Sequence, residues 1–341
     1  MKILIHIGAH KTGTSSIQFF MHRNYERLLD LGILYPRSGI RRYGHHALAL
    51  SCKANERRSE RTGLGRDGEL EMIMREIESS PADRCVLSSE AFFVTDPRNI
   101  ARVASAMKEL DVRILAFVRR PDTMFMSIYT NRLKKMKNPQ KQRNTDYRRY
   151  LEAPDQLSKD LAYEEQIDNW ASVFGRDKID LRRVETGDSV DAMIEAIGID
   201  PAGSLAAELK EGMPLRRNKA RPNEELGILK LAKENIADAE ILQRVWSYCR
   251  EAVSHRSAGS ALPEKATVKP FLSPSERRQI VKYFEESNDR LFASFGYTSN
   301  PYSVESLAIT DDIEFSPLDN LPYAQELIDE ALRKVANTPG R

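Results

Sequence analysis

The residues of this chain best suited to chemistry stand close together near its start, in the run His6–Ser16 (HIGAHKTGTSS). The preceding run Lys2–Ile7 is short, apolar and rich in β-branched residues, which is typical of a buried strand. Apolar residues then recur at helical spacing from Ile17, which predicts a helix that ends at Gly32. Unpaired N–H groups and the dipole at a helix start favour an anion. Residues 8–16, here named the anion loop, are therefore predicted to bind an anionic group.

The lysine of the anion loop stands in an unusual place. A Walker-type loop has the order Gly-x-x-x-x-Gly-Lys-Ser/Thr. Gly8 and Gly13 have this separation, but Thr14 follows Gly13 and the loop's lysine is Lys11. An ordinary nucleoside triphosphate site would therefore lack its phosphate-reading lysine. The alternative is a structural turn with helix-capping hydroxyls and a surface lysine.

A second motif follows the predicted strand Val112–Val118. Arg119 stands at the end of this strand, Pro121 can begin the next helix, and Ser127 then falls two turns along it. A guanidinium and a hydroxyl together suit a phosphate monoester. The alternative is an arginine in a structural ion pair and an ordinary helix serine.

A third motif, Ser-Ser-Glu, follows the predicted strand Cys85–Ser88 and ends in Glu90. A carboxylate at a strand end can accept the proton of an attacking hydroxyl, so Glu90 is the first candidate for a general base. His45 and His46 are competing candidates. A helix-capping or ion-pair role for Glu90, and a structural role for either histidine, remain open.

The order Lys-Thr-Gly-Thr-Ser-Ser at the first strand–helix turn, followed by Arg119, Pro121 and Ser127, resembles sulfotransferases that use 3′-phosphoadenosine 5′-phosphosulfate (PAPS). The resemblance is strongest over residues 3–20 and 112–135. It implies that the anion loop holds the 5′-phosphosulfate, that Lys11 is catalytic, and that Glu90 or His46 is the base. The residues it assigns to the donor are His10, Lys11, Thr12, Gly13, Thr14, Ser15, Ser16, Arg119, Ser127 and Arg221.

The chain also departs from the family in two places. Many relatives have proline at the position of His10. The glycine-containing basic loop that ends the cytosolic steroid and phenol enzymes has no counterpart here, which argues against that branch.

Strands that alternate with helices predict βαβ units and a parallel sheet, with ligands at the carboxyl ends of the strands. The resemblance implies an α/β, three-layer, P-loop-like fold with a central parallel sheet of four or five strands flanked by helices. We expect a sulfotransferase domain over residues 1–298, with basic loop insertions around 37–68 and 132–160, and a C-terminal extension over 299–341.

Composition narrows the class of protein. The net charge is +2 with 30% charged residues, so bulk charge favours neither a nucleic-acid partner nor a membrane surface. Cys52, Cys85 and Cys249 lack metal-type spacing and are expected to be reduced thiols of a cytoplasmic protein. No apolar run approaches the roughly 20 residues of a membrane span.

These observations together predict an O-sulfotransferase that uses PAPS without a metal. Its acceptor is expected to bear a hydroxyl, on a glycan, a lipid-linked sugar or another polar metabolite. One alternative is a kinase-like phosphotransferase, which would need a metal-binding acid at a strand end. The other is a nucleotide-binding module without catalysis. The oligomeric state is left open.

Overall fold

The chain forms an α/β fold built on a five-stranded parallel sheet in the order β2-β3-β1-β4-β5. The computed structural model describes residues 1–53, 68–135, 146–213, 223–259, 270–319 and 321–337. The predicted α/β class with a central parallel sheet of four or five strands flanked by helices is thus confirmed. The strands are β1 Lys2–His6, β2 Ile33–Leu34, β3 Arg84–Ser88, β4 Asp111–Val118 and β5 Ile179–Arg183.

Helices connect and follow these strands. In the described ranges they are α1 Thr14–Arg23, α2 Tyr25–Asp30, α3 His46–Lys53, α4 Gly68–Ser79, α5 Pro97–Ala106, α6 Pro121–Lys134, α7 Tyr163–Phe174, α8 Ser189–Ala196, α9 Ser204–Lys210, α10 Asn223–Asn235, α11 Ala239–Gly259, α12 Pro274–Tyr283, α13 Glu285–Ser294, α14 Val304–Leu307 and α15 Ala324–Ala336.

The chain divides into two compact units. The first comprises Met1–Arg120, Ser158–Arg217 and Ser287–Asn300, and it contains the whole sheet with α1–α5 and α7–α9. The second comprises Pro121–Leu157, Asn218–Glu286 and Pro301–Arg341, and its described elements are helical. The expected division into residues 1–298 and 299–341 stays a prediction.

The first unit buries its sheet under helices. Every residue of β4 from Ile114 to Val118 is buried, as expected for a parallel strand covered on both faces. Leu115 and Phe117 join one core with side chains of α1 and α8, including Ile17 and Ile194. This packing fixes the start of α1 against the sheet.

The second unit has its own core. Tyr129, Tyr147 and Phe271 form an aromatic cluster with ring centroids 5.1–5.6 Å apart. The buried carboxylate of Asp122 accepts a hydrogen bond from Nε of Arg277 at 2.8 Å. This ion pair joins α6 to α12.

Three helix boundaries differ from the sequence expectation. The helix predicted to run to Gly32 is two helices, because Nδ2 of Asn24 donates to the carbonyls of Phe20 and Leu209 and interrupts the helix. The helix predicted to reach Leu110 ends at Ala106, where the chain forms turns. The helix predicted to run from Ser275 to Phe295 breaks between α12 and α13.

Other expectations concern single features. The capping box predicted at Ser273 is present, since its hydroxyl accepts from the N–H of Glu276 while its own N–H donates to that carboxylate. Residues 54–67 and 136–145 of the expected basic insertions lie outside the described residues. Within the described ranges, no helix combines the length and apolar character needed to cross a membrane.

Candidate active site

The three sequence motifs follow three adjacent strands of the first unit. The chain leaves β1 towards the side of β3 and β2, and it leaves β4 towards β5 on the other side. β1 and β4 are neighbours, so their carboxyl ends flank a topological switch point, where open α/β sheets bind ligands. The anion loop follows β1, Arg119 follows β4, and Glu90 follows β3. One edge of the sheet therefore carries the anion loop, Glu90 and Arg119.

The anion loop is a tight turn that needs its glycines. A Cβ atom on Gly8 would lie 2.7 Å from Nε2 of His6, and one on Gly13 would overlap the hydroxyl of Ser189. Gly13 (φ 90°) and Lys11 (φ 71°) both have left-handed backbone conformations. A non-glycine residue in that region is strained, and such strain clusters at ligand sites.

The hydroxyl and amide groups of the anion loop have distinct surroundings. Thr12 is buried and its hydroxyl donates to the carbonyl of Ala9 at 2.6 Å, so this side chain shapes the turn. Thr14 begins α1 and is buried, whereas Ser15 is exposed and Ser16 is half-buried. The first N–H groups of a helix have no carbonyl within it to bind. The start of α1 therefore supplies N–H donors suited to an anion.

Arg119 is tied to the anion loop. Its Nη1 donates to the carbonyl of Lys11 at 3.2 Å. The carbonyl of Arg119 accepts from the buried hydroxyl of Tyr163 at 2.6 Å, and the N–H of Arg120 donates to Glu185 at 2.8 Å. The guanidinium is thus held at the switch point between β1 and β4.

Glu90 begins the short 3₁₀ turn Glu90–Phe92 after β3. Oε2 of Glu90 accepts from Nε2 of Gln18 at 2.8 Å and lies 3.9 Å from Nδ1 of His46. Burial acts to raise the pKa of Glu90, but the charge of His46 and the bond from Gln18 outweigh it and hold the pKa below its usual value. The carboxylate is therefore ionised at neutral pH and can accept a proton.

His45 and His46 play different parts. His45 is buried, its Nδ1 accepts from the N–H of Ser88 at 3.1 Å, and its Nε2 lies 2.9 Å from the carbonyl of Pro36. Burial lowers its pKa to about 4. By contrast, His46 is half-buried at the start of α3, and its Nδ1 lies 2.8 Å from the hydroxyl of Ser89. Only His46 of the two histidines is placed beside Glu90.

His10 pairs with a residue distant in sequence. Its Nδ1 lies 2.8 Å from Oδ1 of Asp160, and its backbone N–H donates to the same oxygen at 3.1 Å. Burial acts to raise the pKa of Asp160, but the bonds from His10 and from the hydroxyl of Ser158 outweigh it and lower that pKa. The pair anchors the anion loop to the 3₁₀ turn Lys159–Leu161.

The structure thus brings Lys11, Arg119, Glu90 and His46 to one edge of the first unit. Ser127 lies half-buried on α6 in the second unit, and its predicted role stays a prediction. Arg221 lies outside the described residues. No group of three or more His, Cys, Asp or Glu side chains that could hold a metal occurs in the described part of the chain.

Sequence reasoning gave no site role to Gln18, Asp160 or Tyr163, and it placed Ser89 in a motif without predicting its contact with His46. Gln18 lies on α1 one turn after Thr14 of the anion loop, a position that could have indicated a side chain facing the site. Asp160 and Tyr163 come from a separate part of the chain and carry no motif. Only the fold reveals their contacts.

Comparison with known proteins gives a distant likeness among solved structures. Neither a protein-family model nor a curated protein sequence matches this chain. Among solved structures, the chain is similar to a sulfotransferase from Alicyclobacillus acidocaldarius, with 18% sequence identity. The match covers 68% of this chain and 93% of that chain, with a TM-score of 0.39. A function must therefore be argued from the residues at the sheet edge.

Proposed function

We propose that this chain is an O-sulfotransferase that moves a sulfuryl group from PAPS to an acceptor hydroxyl. The observation that carries the proposal is the order of chemistry along three adjacent strand ends. Glu90 follows β3 and has His46 beside it, the anion loop follows β1, and Arg119 follows β4. A proton acceptor thus stands on one side of an anion-binding loop and a guanidinium on the other.

The residues of the anion loop suit a 5′-phosphosulfate. Gly8 and Gly13 leave space where side chains would stand, and the start of α1 offers N–H donors with the positive end of its dipole. Lys11 adds a cation within the loop. For the 3′-phosphate, we propose Arg119, because its guanidinium lies beside the anion loop and a planar guanidinium can bind a phosphate through paired N–H donors. Ser127 and Arg221 are further candidates from the sequence alone.

Each residue then has a defined task. When bound, PAPS supplies the sulfuryl group, which passes from the bridging oxygen to the acceptor oxygen and leaves 3′-phosphoadenosine 5′-phosphate (PAP). The ammonium of Lys11 stabilises the charge that develops on the bridging oxygen. Glu90, ionised because of its lowered pKa, accepts the proton of the attacking hydroxyl. His46 is the alternative base, since its Nδ1 lies 3.9 Å from Oε2 of Glu90.

The acceptor is proposed to be a glycan, a lipid-linked sugar or another polar metabolite with a hydroxyl. The support for this class is the basic composition of residues 132–149 and 216–221, which suits a polar or anionic molecule. The nearby alternatives, a kinase and a silent nucleotide-binding module, are outcomes of the tests below.

The first test is a thermal shift of the wild-type chain with PAP, with AMP, and with ATP plus magnesium. A ligand at 100 times its dissociation constant adds about 2.7 kcal/mol of stability, enough to raise the melting temperature visibly. Stabilisation by PAP and not by AMP supports the proposal, because only PAP carries the 3′-phosphate. Stabilisation by ATP with magnesium alone would support a kinase and contradict the proposal.

A matched pair of variants makes this test residue-specific. Arg119→Gln should abolish the preference for PAP over AMP. Arg120→Gln, at the next position, keeps the backbone N–H that donates to Glu185 and should leave the preference intact. Release of PAP from PAPS across a panel of hydroxyl acceptors then separates an enzyme from a silent module, which would bind PAP and transfer nothing.

A further inference from the structure

His10 is a residue of the anion loop, and its imidazole is held by the carboxylate of Asp160. Oδ1 of Asp160 accepts from the backbone N–H of His10 and lies 2.8 Å from its Nδ1, while Oδ2 accepts from the hydroxyl of Ser158 at 2.7 Å. The side chain of Asp160 is 10% exposed, whereas that of His10 is 44% exposed. The carboxylate is thus a buried support and the imidazole is the accessible partner.

This arrangement determines which ring nitrogen carries a hydrogen. An ionised carboxylate can only accept hydrogen bonds, and the lowered pKa of Asp160 keeps it ionised. Nδ1 of His10 must therefore be the donor in the contact with Asp160. Nε2 is then the nitrogen whose protonation can change, and a carboxylate on the opposite side of the ring stabilises the imidazolium that forms.

The anion loop carries little positive charge compared with the ligand that it is proposed to bind. Lys11 is the only lysine or arginine in residues 6–16, whereas a phosphosulfate with a 3′-phosphate carries several negative charges. We propose that His10, oriented by Asp160, is a second cation of the anion loop, so that donor binding weakens when its imidazole loses a proton. This inference rests on the proposed function of the loop.

Two carboxylates interact with His10, and two cations lie on or beside its neighbour in the chain. Asp160 is its direct partner, and the charge of His10 also acts on Glu90, whose pKa it helps to lower. Lys11 is its neighbour in the chain, and Arg119 bonds to the carbonyl of Lys11. The two carboxylates favour the imidazolium and the two cations oppose it, while a bound phosphate adds to the carboxylates.

The test compares the wild type with His10→Asn. The amide of asparagine can replace Nδ1 as donor to Asp160, while Nε2 and the titratable charge are removed. The dissociation constant of PAP is measured by calorimetry from pH 5.5 to 8.5 for both chains. The phosphates of PAP also titrate near pH 6, and the titration of free PAP is the same in both series and cancels in the ratio of the two affinities.

The expected result is a pH-dependent ratio of the two affinities. The wild type should bind PAP about tenfold more tightly than His10→Asn at pH 5.5, and the ratio should approach one at pH 8.5. Asp160→Asn, which keeps the imidazole and removes the carboxylate, should move this change to lower pH. A ratio that stays constant across the range would overturn the role of His10, because a structural side chain would change affinity equally at every pH.

PAP binding by the wild type distinguishes a failure of this inference from a failure of the proposed function. If it binds PAP and the ratio is constant, His10 has no cationic role and the proposed function stands. If it binds no PAP at any pH, the proposed function fails and the inference fails with it.

Discussion

The replacement of Gly8 by alanine tests how the sequence builds the anion loop. The added Cβ would lie 2.7 Å from Nε2 of His6 and 3.2 Å from Oγ1 of Thr12, whereas ordinary contacts begin at 3.4 Å. The ring of His6 is fully buried, its Nδ1 lies 2.8 Å from the hydroxyl of Ser88, and it packs edge-on against Phe117. Because the imidazole is held on these sides, the loop backbone must move instead.

The size of the effect follows from this overlap. One of the two groups must shift by about 0.7 Å, and overpacking of a closed site of this kind costs about 1–3 kcal/mol. We expect Gly8→Ala to lower the free energy of unfolding by that amount and to weaken PAP binding, since the loop proposed to hold the phosphate is displaced. His6→Ala removes the ring that the new Cβ would meet.

Urea unfolding of a double-mutant cycle measures the clash directly. His6→Ala alone should cost about 2–4 kcal/mol through lost packing and the lost bond to Ser88. The double variant should cost about 1–2 kcal/mol less than the sum of the single variants, because the clash is gone. Gly187→Ala is the control, since no atom lies within 4 Å of its added Cβ. Additive costs in the cycle would refute the reasoning.

Three further predictions concern the cation of the loop, the buried ion pair and a buried lysine. Lys11→Ala should slow PAP release from PAPS roughly 10²-fold or more, and unchanged turnover would contradict its role. Asp122→Ala should cost about 3–5 kcal/mol in urea unfolding, because Arg277 is left buried without its carboxylate. The double variant with Arg277→Met should recover part of that loss, and no recovery would argue against a buried uncompensated charge. Burial lowers the pKa of Lys233 to about 8 from its ordinary 10.5, so between these values the unfolded chain holds more protons than the folded chain. The free energy of unfolding of the wild type relative to Lys233→Met should therefore rise by up to about 3 kcal/mol from pH 7.5 to 10. A difference between the two chains that does not change with pH would exclude the lowered pKa.

The parts of the fold that the sequence predicts are those set by local pattern. The buried strands are continuous apolar runs bounded by polar residues, so β1, β3 and β4 were predictable to within a residue at each end. Helix ends were less predictable where a distant group decides them. Asn24 breaks the first helix partly because it bonds to the carbonyl of Leu209, and no local pattern contains that contact.

The candidate site divides in the same way. Lys11, Glu90 and Arg119 were predicted as site residues because they lie in the segments that follow strands, and parallel strands present their carboxyl ends at one edge of the sheet. Gln18, Asp160 and Tyr163 were not found, since each acts on a residue far from it in sequence. Motif spacing records what the chain does locally, whereas the partners that orient those motifs are fixed by tertiary packing.

The two adjacent histidines show why residue type alone could not choose a base. His45 lies just before α3, where its N–H and ring both bond to Ser88 and extend the edge of β3 beyond the short strand β2. That role uses both ring nitrogens and requires a neutral, buried imidazole, which cannot exchange protons with an acceptor. The next residue turns the chain into the helix, so His46 faces Ser89 and Glu90 instead. His45 therefore holds the segment that places His46 beside Glu90, and the direction of the backbone over a single residue separates the two histidines.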